Sequence, residues 1–582
     1  MTGQVPSDTG GVVKVSGPVV TAAGLPRTRL FDVVRIGTDR ILGEVIRIDD
    51  DLVVVQAFED TTGLRVDEPV VATGEPLYAE LGPGLLGAIL DGTQRPLESL
   101  GAESGHYIAR GADPPRLDPD RLWDFQAAAA VGNEVTPGDL LGTVTEGRAF
   151  EHRVLVPTGW SGTVTAVRPG PATVLDPVVD IDGHPVTMMH RWPLRRARPV
   201  AGRLPLTVPL NTGQRVLDLL FPVARGGSAI IPGGFGTGKT VMEQALAKFS
   251  SADVVVYVGC GERGNELTEV LEQFPRLTDP RNGASLMERT VMVANTSNMP
   301  VAAREASIYT GITVAEYFRD QGYDVAMLAD STSRWGEALR EVSSRLEEMP
   351  AEDGYPAYLA TRLAGFYERA GAVQCLGTPE RNGSVTIVGA VSPAGGDFSE
   401  PITQHSLRLA GCFWALDTTL SRQRHFPAVN WLRSFSQYDL DGWYDCEVAD
   451  DWSRLRRWAA ATLQDEGSLQ EVVSLLGVEA IAAEQRITLR LGQALREDLL
   501  QQSSFDPADA TCPPDRLLAM LRVLHAADGA MSSALSRGVA VPDIVGASVL
   551  TELGQMRRWP AGRVDDSARD LTRRVAEEME LL

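Results

Sequence analysis

The chain has 582 residues, with 54 basic against 77 acidic side chains and a formal net charge of −23. That length exceeds what one hydrophobic core organises and predicts roughly two to four domains. The acidic balance disfavours a surface that tracks nucleic acid, although a local basic channel is compatible with an acidic total.

Cys260, Cys375, Cys412, Cys446 and Cys512 are widely separated, with no C-x-x-C pair and no zinc-ligand spacing, and read as reduced thiols in the cytoplasm. No positively charged start leads into an apolar run, and no stretch approaches the roughly 18 to 20 apolar residues of a membrane span. The sequence therefore predicts a soluble chain, one able to dock onto something that is not.

From Val12 to about Gly74 short alternating runs, Val12–Val15, Phe31–Ile36, Leu42–Ile48 and Leu52–Ala57, are separated by turn residues and predict a small β-barrel. No catalytic set occurs in it, which favours a structural or ring-forming role. Leu81–Gly92 begins a different kind of segment that is interrupted from about Arg110 to Trp192. There Val135–Gly142, Arg153–Pro157 and Gly162–Val167 are β-prone, with Pro and Gly between them. The pattern is similar to a lipoyl-type sandwich, but the stretch has no lysine to carry a lipoyl or biotinyl group. It reads as an inserted β module that packs or binds a partner.

After Pro193 the register becomes α/β, with strands expected near Ala229–Pro232, Asp253–Gly259, Thr290–Asn295 and Asp324–Asp330 in a parallel, covered sheet. Gly233-Gly234-Phe235-Gly236-Thr237-Gly238-Lys239-Thr240 fits G-x-x-x-x-G-K-[ST] between a predicted buried strand and a predicted helix over Val241–Lys248. Four glycines let successive N–H groups turn inward, and the helix N-terminus adds partial positive charge. Lys239 can reach outer phosphates, and the Thr240 hydroxyl can ligate Mg²⁺. Lys14, Lys239 and Lys248 are the only lysines among the basic residues, so a lysine kept in this loop is what phosphate binding demands.

Ligands of such sheets sit at the carboxyl ends of the strands. Glu262 lies 23 residues after Lys239, one helix and one strand on, and is expected at that edge. Asp324–Asp330, an apolar strand ending in an acid, fits a Walker B pattern, its carboxylate holding Mg²⁺ directly or through water.

From about Ser436 the chain reads as helical, with amphipathic stretches Leu455–Leu463, Leu469–Leu476, Glu479–Leu500, Arg516–Leu524 and Asp570–Leu581 broken by Pro507, Pro513-Pro514 and Pro542. His106, His152, His184, His190, His405, His425 and His525 form no ligand pattern; His425, beside Phe426, has a packing role or a place near the ligand.

Together these residues closely resemble the catalytic A subunit (alpha chain) of vacuolar- and archaeal-type rotary ATPases, in its bacterial form. The resemblance runs through Gly259–Glu266, Ala329–Trp335, Leu346–Glu352, Ser392–Asp397 and Phe426–Trp431 and covers essentially the whole chain. It implies a multidomain α/β architecture: an N-terminal β-barrel (1–74), the start of the nucleotide-binding domain (75–109) and an inserted β-rich bulge domain (110–192). A RecA-like P-loop nucleotide-binding domain (193–435) and a C-terminal helical bundle (436–582) follow.

The resemblance also implies roles. Glu262 is the carboxylate that polarises the attacking water, and Arg263 and Lys239 contact the γ-phosphate. Thr240 ligates Mg²⁺ with Asp330 in its outer shell, and Phe426 and Phe505 flank the adenine. Eukaryotic members of the family carry a cysteine where this chain has Thr237, which argues against disulfide control of the loop. Relatives often have Pro or Ala where this chain has Gly234.

ATP and ADP become substrate and product. The expected partners are a non-catalytic B subunit in an alternating A3B3 ring, from which an arginine completes the site, and the central and peripheral stalks. Attachment to the cytoplasmic face of the cell membrane is indirect, through a sector that moves H⁺ or Na⁺, and no nucleic acid is bound. The alternative readings are a hexameric nucleic-acid translocase and a non-catalytic ring subunit; the charge argues against the first, and intact Lys239, Glu262 and Asp330 against the second.

Overall fold

The computed structural model describes residues 8–105, 108–148, 150–234, 236–393 and 396–582. Phe235 of the phosphate loop, His106, and Ala394 and Gly395 of the Ser392–Asp397 motif lie outside the described residues. The chain divides into two compact units. One comprises Met1–Pro205, Ala252–Val391 and Phe398–Leu409; the other comprises Leu206–Ser251, Ser392–Asp397 and Ala410–Leu582.

In the first unit six strands close a barrel: Thr9–Ser16, Val19–Ala23, Leu52–Ala57, Ile41–Asp49, Asp32–Ile36 and Pro69–Pro76, in that spatial order. Alternate residues, among them Val20, Val34, Val45, Val55 and Val70, fill its interior. The alternation foretold four of these strands. Val19–Ala23 and the proline-bounded Pro69–Pro76 go beyond the runs read from sequence, and they complete the closure.

The following β module forms two four-stranded sheets. The run Val135–Gly142, expected as one piece, is broken between strands Glu134–Val135 and Leu140–Glu146 because Asp139 Oδ2 accepts the Thr136 N–H at 2.6 Å and closes a turn. His152 ties this module to the Val301–Asp320 helix, its Nδ1 lying 2.9 Å from Glu146 Oε2 and its Nε2 2.6 Å from the Tyr317 hydroxyl.

The sheet of this unit runs Ile89–Leu90, Thr290–Thr296, Val254–Glu262, Asp324–Asp330, Asn382–Val391, all parallel, with Gly371–Gln374 antiparallel to the last. Its strands are almost wholly buried, as a sheet covered on both faces requires. The Val301–Asp320 helix lies against it so closely that a Cβ on Gly311 would stand 2.4 Å from Val258 Cγ2. Arg195 fixes the start of that helix to the barrel, its guanidinium 2.7 Å from both Glu305 Oε2 and Glu44 Oε2.

The second unit carries the phosphate loop after the strand Ser228–Pro232, which pairs in parallel with Cys412–Phe413. The remainder is helical, and two expectations change. Leu455–Leu463 and Leu469–Leu476 belong to one helix, Trp452–Leu476. Gly467 is not a break; a Cβ there would meet Leu432 Cδ1 at 2.9 Å, so the glycine admits that side chain to the helix surface. Pro514 and Pro542 open helices Pro514–Ser536 and Val541–Val545 rather than ending any, because the first turn needs no donor from proline. Among the described residues no helix is long and apolar enough to cross a membrane.

Candidate functional site

The phosphate loop is built as its sequence demands. Gly236 (φ 76°) and Gly238 (φ 92°) occupy left-handed backbone that only glycine enters without cost. At Gly233 the obstacle is space: a Cβ would lie 2.6 Å from Thr237 Oγ1 and 2.9 Å from Leu416 Cβ. Gly234 is different, with the nearest atom, Thr418 Cγ2, at 3.6 Å, which explains why alanine suits that position. Thr237 is 2 % exposed and donates its hydroxyl proton to the Gly234 carbonyl at 2.8 Å. Lys239 opens the helix Lys239–Phe249 and turns its ammonium back into the loop, donating to the carbonyls of Gly233 (2.7 Å) and Gly234 (3.1 Å). Thr240 follows in the first helical turn, where unpaired N–H groups face an anion.

In the same unit a cavity of about 260 Å³ opens beside the loop, walled by Thr237, Gly238, Val241, Met242 and Leu416 on one side and by Phe426 and residues 501–505 on the other. Phe426 is 42 % and Phe505 90 % exposed. Two apolar rings over a cleft with few polar groups suit a flat heterocycle.

What holds this wall was invisible in the sequence. Gln502 is buried; its N–H donates to the Phe426 carbonyl at 2.7 Å, its side-chain oxygen accepts from the Arg215 N–H at 2.8 Å, and its amide donates to Gly213 O at 2.9 Å. Arg215, fully buried, donates to the carbonyls of Leu499 and Gln501 and pairs with Asp509 at 2.7 Å. His425 does not line the cavity. It donates from Nε2 to the Arg496 carbonyl at 2.9 Å and lies beside Trp431, which settles it as a packing residue.

The first unit holds the acids. Gly259 and Asp330 are in register on neighbouring parallel strands, so the strand ends carrying Glu262 and Asp330 share one sheet edge. Asp330 is 3 % exposed and accepts from the Tyr257 hydroxyl at 3.3 Å. Burial, then the negative charge of Asp330 and the Glu266 carboxyl, push Glu262 up to about 7, while the Ser331 hydroxyl pulls the other way. Arg263, half-exposed, pairs with Glu266 at 3.6 Å. Arg334 bonds Glu337 through Nη1 at 2.9 and 3.0 Å, and that bond first of all holds its guanidinium above the usual range; Glu262 and Glu266 add to the effect. Arg334 and Ser331 stood in the Ala329–Trp335 motif without an assigned role; Tyr257 carried no signal beyond being an aromatic residue in a strand.

The structure thus brings together Thr237, Gly238, Phe426 and Phe505 in one unit, and Glu262, Asp330 and Glu266 in the other. The fold and the loop define a nucleotide-binding protein of the P-loop class.

The sequence matches the nucleotide-binding domain of the ATP synthase alpha/beta family over residues 213–436 and its beta-barrel domain over 12–74. It also matches the barrel-sandwich domain of the ATP synthase alpha and beta chains over 114–195 and the C-terminal domain of V and A type ATP synthases over 441–537. It is 54 % identical to the second A subunit of the A-type ATP synthase of Methanospirillum hungatei over 94 % of both chains. It is 49 % identical to V-type ATP synthase alpha chain 1 of Clostridium tetani over 98 % of both, and 52 % identical to the V-type ATP synthase alpha chain of Anaeromyxobacter sp. strain K over 98 % of this chain and 99 % of that one. The chain belongs to the family of these A-type and V-type ATP synthase alpha chains.

Proposed function

We propose that this chain is the catalytic subunit of a V/A-type rotary ATPase, binding Mg-ATP and coupling its hydrolysis or synthesis to H⁺ or Na⁺ transport. The observation that carries the reading is an intact phosphate loop, Lys239 included, in a chain that also presents the Glu262–Asp330 carboxylate pair. A scaffold protein needs neither.

Phosphoryl transfer to water is mainly positioning and charge neutralisation, so each group has a defined task. The loop N–H groups and Lys239 hold the outer phosphates. Glu262, once deprotonated, accepts a hydrogen bond from the attacking water and orients it, and Arg263 faces the transferring group. Thr240 and Asp330 would hold Mg²⁺, which supplies neutralisation of the phosphate oxygens. The fit is sound: Asp330 is a buried carboxylate that itself helps push Glu262 up, and such crowded acids suit a divalent cation. Among the described residues no cluster of three or more His, Cys, Asp or Glu forms a metal site, so the ion would keep waters and phosphate oxygens as its remaining ligands.

Phe426 and Phe505 clasp the adenine. Phe426→Ala is expected to weaken ATP binding by about 1 to 3 kcal/mol, the scale of base–aromatic stacking, or about 5- to 150-fold; Phe505→Ala should cost less, since that ring is far more exposed. Titration with a fluorescent ATP analogue measures both.

The family likeness supports an alternating A3B3 ring with a non-catalytic B subunit whose arginine completes the site, joined by central and peripheral stalks to a membrane sector at the cytoplasmic face. Native mass and composition of the complex recovered from the chain's own cells test this. An alternating ring with a homologous chain lacking the phosphate loop is the expected result, and a homohexamer carrying RNA would overturn it.

A further inference from the structure

Where the Val254–Glu262 strand ends, its register with Thr290–Thr296 slips. Cys260 pairs with Asn295 and Glu262 with Thr296, leaving Gly261 as the extra residue of a bulge at φ 71°. Bulges beside active sites re-aim the side chain that follows them, and here that side chain is Glu262. Something must hold the bulge, because a strand end with one unpaired residue has several arrangements of similar energy.

The prop is Arg304, in the first turn of the Val301–Asp320 helix and 8 % exposed. Its stem lies directly beneath Gly261, where a Cβ would stand 2.7 Å from Arg304 Cδ and 3.0 Å from Nε. Its Nη2 donates to the Ser297 carbonyl at 2.8 Å, and Ser297 N–H in turn donates to the Glu262 carbonyl at 2.9 Å. Its own carbonyl accepts from Cys260 Sγ at 3.5 Å. One side chain therefore touches the bulge from below while two hydrogen-bonded links tie the helix to the backbone on either side of Gly261. Nothing in the sequence marks Arg304, which reads as an ordinary polar residue near a helix start.

We propose that Arg304 is a positioning residue for Glu262: it braces the Gly261 bulge and so fixes where the water-polarising carboxylate points. This rests on the reading of Glu262 given above. Arg304 reaches the nucleotide through no contact of its own, and its effect falls on the chemical step rather than on ATP binding.

The test is ATP hydrolysis by the assembled complex carrying Arg304→Met or Arg304→Lys, with Glu262→Gln as reference, from about pH 5.5 to 9. Arg304→Met is expected to lower kcat about 10- to 100-fold with KM for ATP within about twofold, since a misplacement near 1 Å has that cost. Its acid limb should move to lower pH as Glu262 draws away from Asp330 and Glu266 towards Arg334. Arg304→Lys keeps a cation and a donor and should recover most of kcat and the original limb.

Wild-type kcat with an unmoved acid limb in Arg304→Met, or a loss confined to KM, overturns the proposal. If the Met variant fails to assemble, Arg304→Gln, which keeps part of the stem and a donor without the charge, is read by the same two outcomes. Full activity in Glu262→Gln would remove the underlying assignment instead.

Discussion

Glu262→Gln is expected to reduce ATP hydrolysis by the assembled complex about 10²- to 10⁴-fold while leaving ATP binding within about twofold. Glutamine keeps the shape and can still meet the Ser331 hydroxyl, but it has no negative charge with which to polarise water. The pH dependence has a definite sign. A carboxyl raised from 4.5 to about 7 works only when deprotonated, so wild-type hydrolysis should climb as pH rises through about 7. The residual activity of the glutamine variant should lack that limb.

Stability adds an independent reading. Because the folded nucleotide-free chain holds the Glu262 proton more tightly than the unfolded chain does, its stability falls as pH rises from 4.5 towards 7 and the loss is complete above that. Glutamine removes this loss. The melting temperature of the nucleotide-free variant should match wild type near pH 4.5 and exceed it at pH 8. Hydrolysis within a few-fold of wild type, or equal melting temperatures at both pH values, would contradict a buried, catalytic Glu262.

The parts of the molecule that could be read from the sequence are those whose pattern repeats on the scale of a few residues. Alternation exposed four barrel strands, and apolar runs exposed the central strands, because burial on both faces leaves little else in them. Pro69–Pro76 escaped since a proline at each end reads as loop, yet a barrel strand accepts proline at its termini. Gly467 hid the unity of a long helix because its reason, the approach of Leu432, comes from far along the chain.

The same division holds at the site. The phosphate loop is local chemistry and announces itself, and the Asp324–Asp330 strand nearly does. Phe426 and Phe505 have no intrinsic signature and were placed only by resemblance; the cavity they share with Thr237 and Gly238 now gives them a physical setting. Gln502, Arg215 and Arg304 were beyond reach. Each acts by tying together segments distant in sequence, and a buried arginine or glutamine cannot be told from a surface one in a string of letters.

Lys239→Arg is expected to lower hydrolysis about 10²- to 10³-fold, the scale of losing one well-placed electrostatic donor, and to weaken ATP binding as well, although the charge is unchanged. The ammonium reaches inside the loop and is held by two carbonyls, those of Gly233 and Gly234, in a turn with no slack. A planar guanidinium presents its donors in a rigid fork and is wider than the point charge it would replace. Accommodating it requires moving the Gly233 backbone, which is already pressed between Thr237 and Leu416. Lys248, in the last turn of the same helix with its ammonium 5.0 Å from the Phe249 ring, supplies the contrast. Stacking on an aromatic face suits arginine at least as well, so Lys248→Arg should leave turnover and ATP affinity near wild type. Steady-state hydrolysis and equilibrium ATP binding on both variants separate the cases. Wild-type turnover in Lys239→Arg would mean that positive charge alone suffices at the loop, and that the shape argument for keeping a lysine in so arginine-rich a chain is wrong.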